Sequence, residues 1–173
     1  MISLYIHWPF CVKKCPYCDF NSFVTQDINH LKWQQAYLKL LKKYQALLQN
    51  KQIKSIFFGG GTPSLATSDM IKTIIDFINN DITQLPQDVE ITLEANPTSV
   101  EMKKFEDFRT AGINRISLGV QSFNNNNLSF LGRNHDNKEA LLALEVLQQT
   151  FDNYSFDLIY ALPQQTIQLW HEE

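Results

Sequence analysis

Short apolar runs alternate along the chain with stretches of helical period. Five runs read as strands: Ile2–His7, Ile53–Phe58, Val89–Ala95, Arg115–Val120 and Tyr154–Ile159. Each is rich in β-branched or aromatic residues and ends near glycine, proline or a polar cluster, the usual boundaries of a strand. Between the first two, Trp33, Tyr37, Leu40, Leu41, Tyr44 and Leu48 recur at the spacing of one helical face. Ser68-Asp69 reads as the cap of a second helix through Ile71, Ile74, Ile75 and Ile78. A third helix opens at Ser99, with Glu101 and Met102 in its first turn, and stops near Gly112. A fourth covers Lys138–Gln149, with Ala140, Leu141, Leu144 and Leu147 as its apolar positions. Strand-then-helix order repeated in this way predicts an α/β fold with a parallel sheet.

In parallel α/β folds the chemistry lies beyond the carboxyl ends of the strands. Three cysteines follow the first predicted strand, and Gly59-Gly60-Gly61-Thr62-Pro63 follows the second. Glu94-Ala95-Asn96-Pro97 ends the third, Gln121-Ser122-Phe123 ends the fourth, and the fifth carries Asp157 and runs into Leu162-Pro163. Polar and glycine-rich residues therefore gather at one rim, the arrangement of an enzyme-like site.

Composition narrows the picture. The chain has 173 residues, a one-domain size, and ordinary apolar and charged fractions. A net charge of −3 without a Lys/Arg run gives no nucleic-acid footprint. No apolar stretch is long enough for a membrane span, and MISLYIHWPF lacks the parts of a signal peptide. The expected compartment is the cytoplasm. The chain stops at Leu169-Trp170-His171-Glu172-Glu173, inside what reads as the start of another helix, and five strands are few for a closed parallel barrel. Residues 1–173 are thus expected to be the N-terminal part of a longer protein.

The three cysteines, Cys11, Cys15 and Cys18, fall within eight residues. An odd, clustered set is not a disulfide framework and points to a metal or cluster site. Three thiolates in one loop can hold three irons of a four-iron cluster and leave the fourth open to a small molecule. Two other readings stand beside this one. Zinc could take the three thiolates with His7 or His30, although no second cysteine pair accompanies them. Packed core thiols are the other, although two lysines and a proline in the same segment are poor core material.

The spacing C-x3-C-x2-C resembles the signature of radical S-adenosylmethionine (SAM) proteins. The flanks, Tyr5-Ile-His-Trp-Pro-Phe-Cys11 and Cys18-Asp-Phe-Asn-Ser22, resemble the branch of oxygen-independent coproporphyrinogen III oxidases, and more closely the HemW-type heme chaperones. The likeness runs on through Phe58-Gly-Gly-Gly-Thr-Pro-Ser64, Glu94-Ala-Asn-Pro97, Arg115-Ile-Ser-Leu-Gly-Val-Gln-Ser-Phe123, Leu131-Gly-Arg-Asn-His135 and Asp157-Leu-Ile-Tyr-Ala-Leu-Pro163. It implies a partial radical SAM (β/α)6 TIM-like barrel, truncated after about five βα units. It also implies a [4Fe-4S] cluster on Cys11, Cys15 and Cys18.

For SAM the resemblance implies contacts from Tyr5, Gly60, Gly61, Thr62, Glu94, Gln121, Arg133 and Asp157. Glycines after a strand let a ligand approach the backbone, a carboxylate at a strand end suits ribose hydroxyls, and a guanidinium suits the methionyl carboxylate. Tyr5 rests on the resemblance alone. His7 and His135 receive no role, since a lone histidine is more often structural.

Two functions follow from this likeness. One is a heme chaperone that carries heme to an acceptor protein, with an electron donor serving the cluster. The other is SAM-dependent oxidative decarboxylation of coproporphyrinogen III. The oxidases resemble C-x3-C-x2-C-x-C, whereas here Phe20 occupies the extra cysteine's position, and only ten residues precede Cys11. Both departures point to the chaperone. Its usual His-Asn-x-x-Tyr-Trp motif does not occur in these 173 residues.

Overall fold

The computed structural model describes residues 1–173. In chain order, strand β1 (Ile2–Trp8) leads into a two-residue strand β2 (Phe10–Cys11), and the cysteine loop returns through β3 (Phe23–Val24) to helix α1 (His30–Leu48). Strand β4 (Ile53–Gly60), a 3-10 turn (Pro63–Leu65) and α2 (Ser68–Phe77) follow, the last extended by a π-turn to Ile82. Then come β5 (Glu90–Ala95), α3 (Ser99–Met102), α4 (Phe105–Thr110), β6 (Arg115–Gln121), α5 (Asn125–Phe130), α6 (Asn137–Thr150), β7 (Tyr154–Leu158) and α7 (Ile167–Glu172).

Five strands form one all-parallel sheet in the order β1-β4-β5-β6-β7. Strand order follows chain order without reversal. Crossovers of one hand then place their helices on one side, as in a barrel wall, and not on both, as in a doubly wound sheet. The side chains obey that geometry. On the helix side, Ile56, Phe58, Leu93, Ile116 and Leu118 alternate into a core with Ile71, Ile74, Phe105 and Phe108. Each fully buried side chain of this size contributes about 1.5–3 kcal/mol over its exposed state. The intervening positions, including Ser3, Tyr5, Ser55, Arg115 and Ser117, face the concave side. Polar pairs bridge strands there: Ser55 Oγ donates to Ser3 Oγ at 2.8 Å, and Arg115 Nη2 donates to Ser155 Oγ at 2.7 Å.

All five predicted strands are present, with ends shifted by a residue or two. Helices differ more. The second is capped by Thr67, whose Oγ1 accepts from Met70 N at 3.3 Å, and not by Ser68-Asp69. The third breaks into α3 and α4 at Lys103-Lys104, where Lys104 N donates to Glu101 O at 2.9 Å, a three-residue turn in place of the four-residue helical step. Leu40, Tyr44 and Leu141, assigned to core faces by their spacing, are exposed, because one sheet face covers only a narrow stripe of each helix. The fourth helix starts on a capping box: Asp136 accepts from Glu139 N at 2.9 Å, and Glu139 accepts from Asp136 N at 3.2 Å.

Candidate functional site

The carboxyl ends of the strands open into a cavity of about 410 Å³. Ten of the sequence-predicted site residues line it: Cys11, Cys15, Cys18, Gly60, Gly61, Thr62, Glu94, Gln121, Arg133 and Asp157. Tyr5 lies just below, on the concave face. Its ring stacks on Phe57 at 5.9 Å, and its hydroxyl sits close to Gly59.

The cysteine loop is closed at its base by the β2–β3 pair, where Phe23 N donates to Pro9 O at 2.7 Å and Thr25 N to Cys11 O at 3.2 Å. Within it a turn is tied by Cys18 N donating to Cys15 O at 3.0 Å. Cys11 is buried, while Cys15 and Cys18 are half-buried. The sulfurs line a common wall without converging as the ligands of one ion would. A four-iron cluster takes each thiolate on a separate iron, so its donors need a shared wall and not a point. His7 and His30 lie outside the cavity: His7 Nε2 is 2.9 Å from Asn21 O, and His30 stacks on Trp8.

The glycine turn is bonded to the chain that enters the cysteine loop. Gly61 N donates to Trp8 O at 2.6 Å and Thr62 N to Phe10 O at 2.8 Å. A Cβ on Gly61 would lie 2.5 Å from Phe10 O and 3.0 Å from Cys11 Sγ, and Gly60 sits at φ 116°, a conformation natural to glycine alone. Gly60 N donates to Glu94 Oε2 at 3.0 Å. Burial raises the Glu94 carboxyl above its ordinary range; that amide opposes the shift, nearby Asp157 adds to it and His7 opposes it. Burial, and then Glu94, likewise raises the Tyr5 phenol. Gln121 is held at φ 71° where the β6–β7 register shifts, a strained backbone that ends the strand inside the cavity.

Arg133 reaches the rim from the loop after α5. Its Nη2 donates to Asn96 Oδ1 at 2.5 Å and Gly119 O at 2.7 Å; its Nη1 lies 3.2 Å from Tyr17 Oη and 3.6 Å from Cys15 Sγ. Its Nε is buried without a partner. A guanidinium with no carboxylate neighbour, one orphaned donor and three thiols on the same wall forms a donor set suited to an anionic cluster and a ligand carboxylate.

The strand ends also bring in residues the sequence reading left without a role. Asn96, Glu101, Ser117, Gly119 and His135 line the cavity. Asn96, Ser117, Gly119 and His135 stood inside the quoted motifs, while Glu101 was legible only as a first-turn helix residue after Thr98, with nothing to mark its burial on the cavity wall.

His135 is buried, with Nε2 3.0 Å from Val120 O. Burial, and then Arg133, hold its pKa down to about 4, against small opposing effects of the Val120 carbonyl, Glu139 and Asp136. Between about pH 6.5 and 4 the unfolded chain takes up this proton and the folded chain does not. The stability this neutral imidazole contributes is therefore complete above pH 6.5 and lost as pH falls toward 4. Discounted for solvent screening, the loss is about 2 kcal/mol. Urea unfolding at pH 7 and pH 4.5 checks it: His135→Gln should remove most of that difference, and an equal fall in both proteins would refute it.

The radical SAM superfamily profile matches residues 5–172. The chain is 44% identical over 167 residues to the heme chaperone HemW of Buchnera aphidicola from Schizaphis graminum, covering 96% of this chain and 44% of that protein. It is 43% identical over 169 residues to HemW of Escherichia coli, again covering 96% and 44%. The mitochondrial radical S-adenosyl methionine domain-containing protein 1 of Danio rerio is 38% identical, covering 99% of this chain and 38% of that one. The chain thus spans less than half the length of these curated relatives. Among solved structures, the coproporphyrinogen III oxidase HemN of Escherichia coli superposes with a TM-score of 0.87 at 29% identity, over 98% of this chain and 39% of that one. The cobalamin-dependent radical enzyme OxsB shares the fold, with a TM-score of 0.61 at 15% identity over 91% of this chain and 24% of that one.

Proposed function

The chain belongs to the radical SAM superfamily, and from that premise we propose that residues 1–173 are the N-terminal part of the core domain of a heme chaperone. The observation that carries this reading is the 43–44% identity to two HemW heme chaperones across 96% of the chain. The family implies SAM and a four-iron cluster, and the residues present fit both. Cys11, Cys15 and Cys18 would hold three irons. Gly60, Gly61 and Thr62 would let SAM pass close to a backbone whose N–H groups are already bonded to Glu94, Trp8 and Phe10, with Glu94 and Asp157 as acceptors for its hydroxyls and amino group. Arg133, through its orphaned Nε, and Gln121 would face its methionyl end, and Tyr5 would lie beneath. When bound, the cluster supplies the electron for reductive cleavage of SAM. The chain's own part is to bind, orient and partly desolvate these groups. Heme is the cargo, handed to an acceptor protein, with an electron donor serving the cluster.

The likeness to HemN favours a second reading, oxidative decarboxylation of coproporphyrinogen III. Phe20, half-exposed on the cavity wall where the oxidases resemble an extra cysteine, weighs against it. Intact, cluster-reconstituted protein decides between them. The chaperone reading expects stoichiometric heme retention, transfer to a heme-free acceptor and no porphyrin product. Turnover of coproporphyrinogen III to protoporphyrinogen IX without heme retention would overturn it.

A further inference from the structure

Glu101 is a buried carboxylate that touches no cysteine, yet it stands three hydrogen bonds from the cysteine loop. Its Oε2 accepts from the Ser64 hydroxyl and from Asn96 N at 2.7 Å. Its Oε1 accepts from Asn96 Nδ2 at 3.5 Å and Thr98 Oγ1 at 3.4 Å. Asn96 Nδ2 also lies 3.5 Å from Thr62 Oγ1, while Asn96 Oδ1 accepts from Arg133 Nη2 at 2.5 Å. The amide therefore stands between two groups of opposite hydrogen-bonding character. An ionised carboxylate only accepts and a guanidinium only donates, so each end of the amide has one allowed orientation. Arg133 in turn lies across the loop, with Nη1 against Cys15 Sγ and Tyr17 Oη, while neighbouring Gly132 sits so close to Pro16 that a Cβ there would approach Pro16 Cδ to 2.8 Å.

We propose that Glu101 is a positioning residue: through the orientation of the Asn96 amide it holds Arg133 over Cys15 and so sets the reduction potential of the cluster. The inference rests on reading Cys11, Cys15 and Cys18 as the cluster site. Hydrogen bonds to cysteine sulfur stabilise the reduced, more negative cluster and raise its potential. Releasing Arg133 lowers it.

Glu101→Gln tests this with little change of shape. The new side chain can keep the Ser64 and Asn96 backbone bonds through its oxygen, but its NH2 faces the Asn96 NH2 and frees that amide to flip. In intact, anaerobically reconstituted protein, a redox titration followed by electron paramagnetic resonance should show the reduction equilibrium weakened about tenfold, a shift of about 59 mV to more negative potential for a one-electron couple. Asn96→Ala, which keeps Glu101 and removes only the middle link, should shift it the same way. In an Arg133→Gln background, Glu101→Gln should add nothing, since coupled residues do not sum. A wild-type potential in either single variant, or full additivity with Arg133→Gln, overturns the proposal. Should Glu101→Gln not fold, the Asn96→Ala result decides alone. A wild-type protein that takes up no cluster overturns the cluster reading instead.

Discussion

Alanine at any one of Cys11, Cys15 or Cys18 is expected to abolish cluster retention, with iron and sulfide content after anaerobic reconstitution falling to background and, on the proposed reading, reductive cleavage of SAM lost. The three thiols are the only cysteines in these 173 residues and share one loop, so none of these residues supplies a spare thiolate. The variants differ in what else they disturb. Cys11 is buried beside Gly61 at the seat of the loop, and its truncation also leaves a small void. Cys15 is half-buried, and its side-chain hydrogen bond is the long one from Arg133. Cys15→Ala should therefore unfold in urea as the wild-type apoprotein does, while Cys11→Ala should lose about 1 kcal/mol. Near-stoichiometric iron in the Cys15 variant would show that the cluster is not held here.

Gly61→Ala is expected to be nearly as damaging while leaving all three cysteines in place. Its Cβ would meet Phe10 O at 2.5 Å, Phe10 C at 2.9 Å and Cys11 Sγ at 3.0 Å. Two of those atoms are backbone, and they belong to the segment that the glycine turn itself holds through Gly61 N and Thr62 N. Relief requires the turn and the entry to the cysteine loop to separate. Overpacking of this kind costs about 1–3 kcal/mol, and a displacement of about 1 Å at a reacting centre lowers turnover about 100-fold. Isothermal titration with SAM and the rate of 5′-deoxyadenosine release check both effects. Wild-type affinity and rate in this variant would mean that the contact between the turn and the cysteine loop does not shape the site.

Local signals were strong where periodicity and chemistry coincided. The strands were legible because β-branched and aromatic residues cluster between glycine, proline and polar boundaries, and their parallel direction followed from the repeated strand-then-helix order. The site's outline was legible because every strand of the parallel sheet delivers its last residues to the same rim. Helix details were less so. Leu40, Tyr44 and Leu141 occupy apolar positions by spacing, but how wide a stripe a sheet covers is a property of the packed layers. The split between α3 and α4 is a local switch to a three-residue turn, with Lys104 N bonded to Glu101 O, and the spacing of apolar residues does not encode that.

By itself, the amino-acid sequence determined the parallel α/β architecture, the three-thiol loop and the set of strand-end residues around it. Apolar β-branched runs, clustered cysteines and glycine turns are all local patterns. Only the tertiary structure decided how those residues are held. Arg133 meets Cys15 across 118 residues of chain and Asn96 across 37, and Ser64 meets Glu101 across 37. Such contacts follow from the strands sharing one rim, and a hydrogen bond between residues so far apart leaves no mark on the spacing of either.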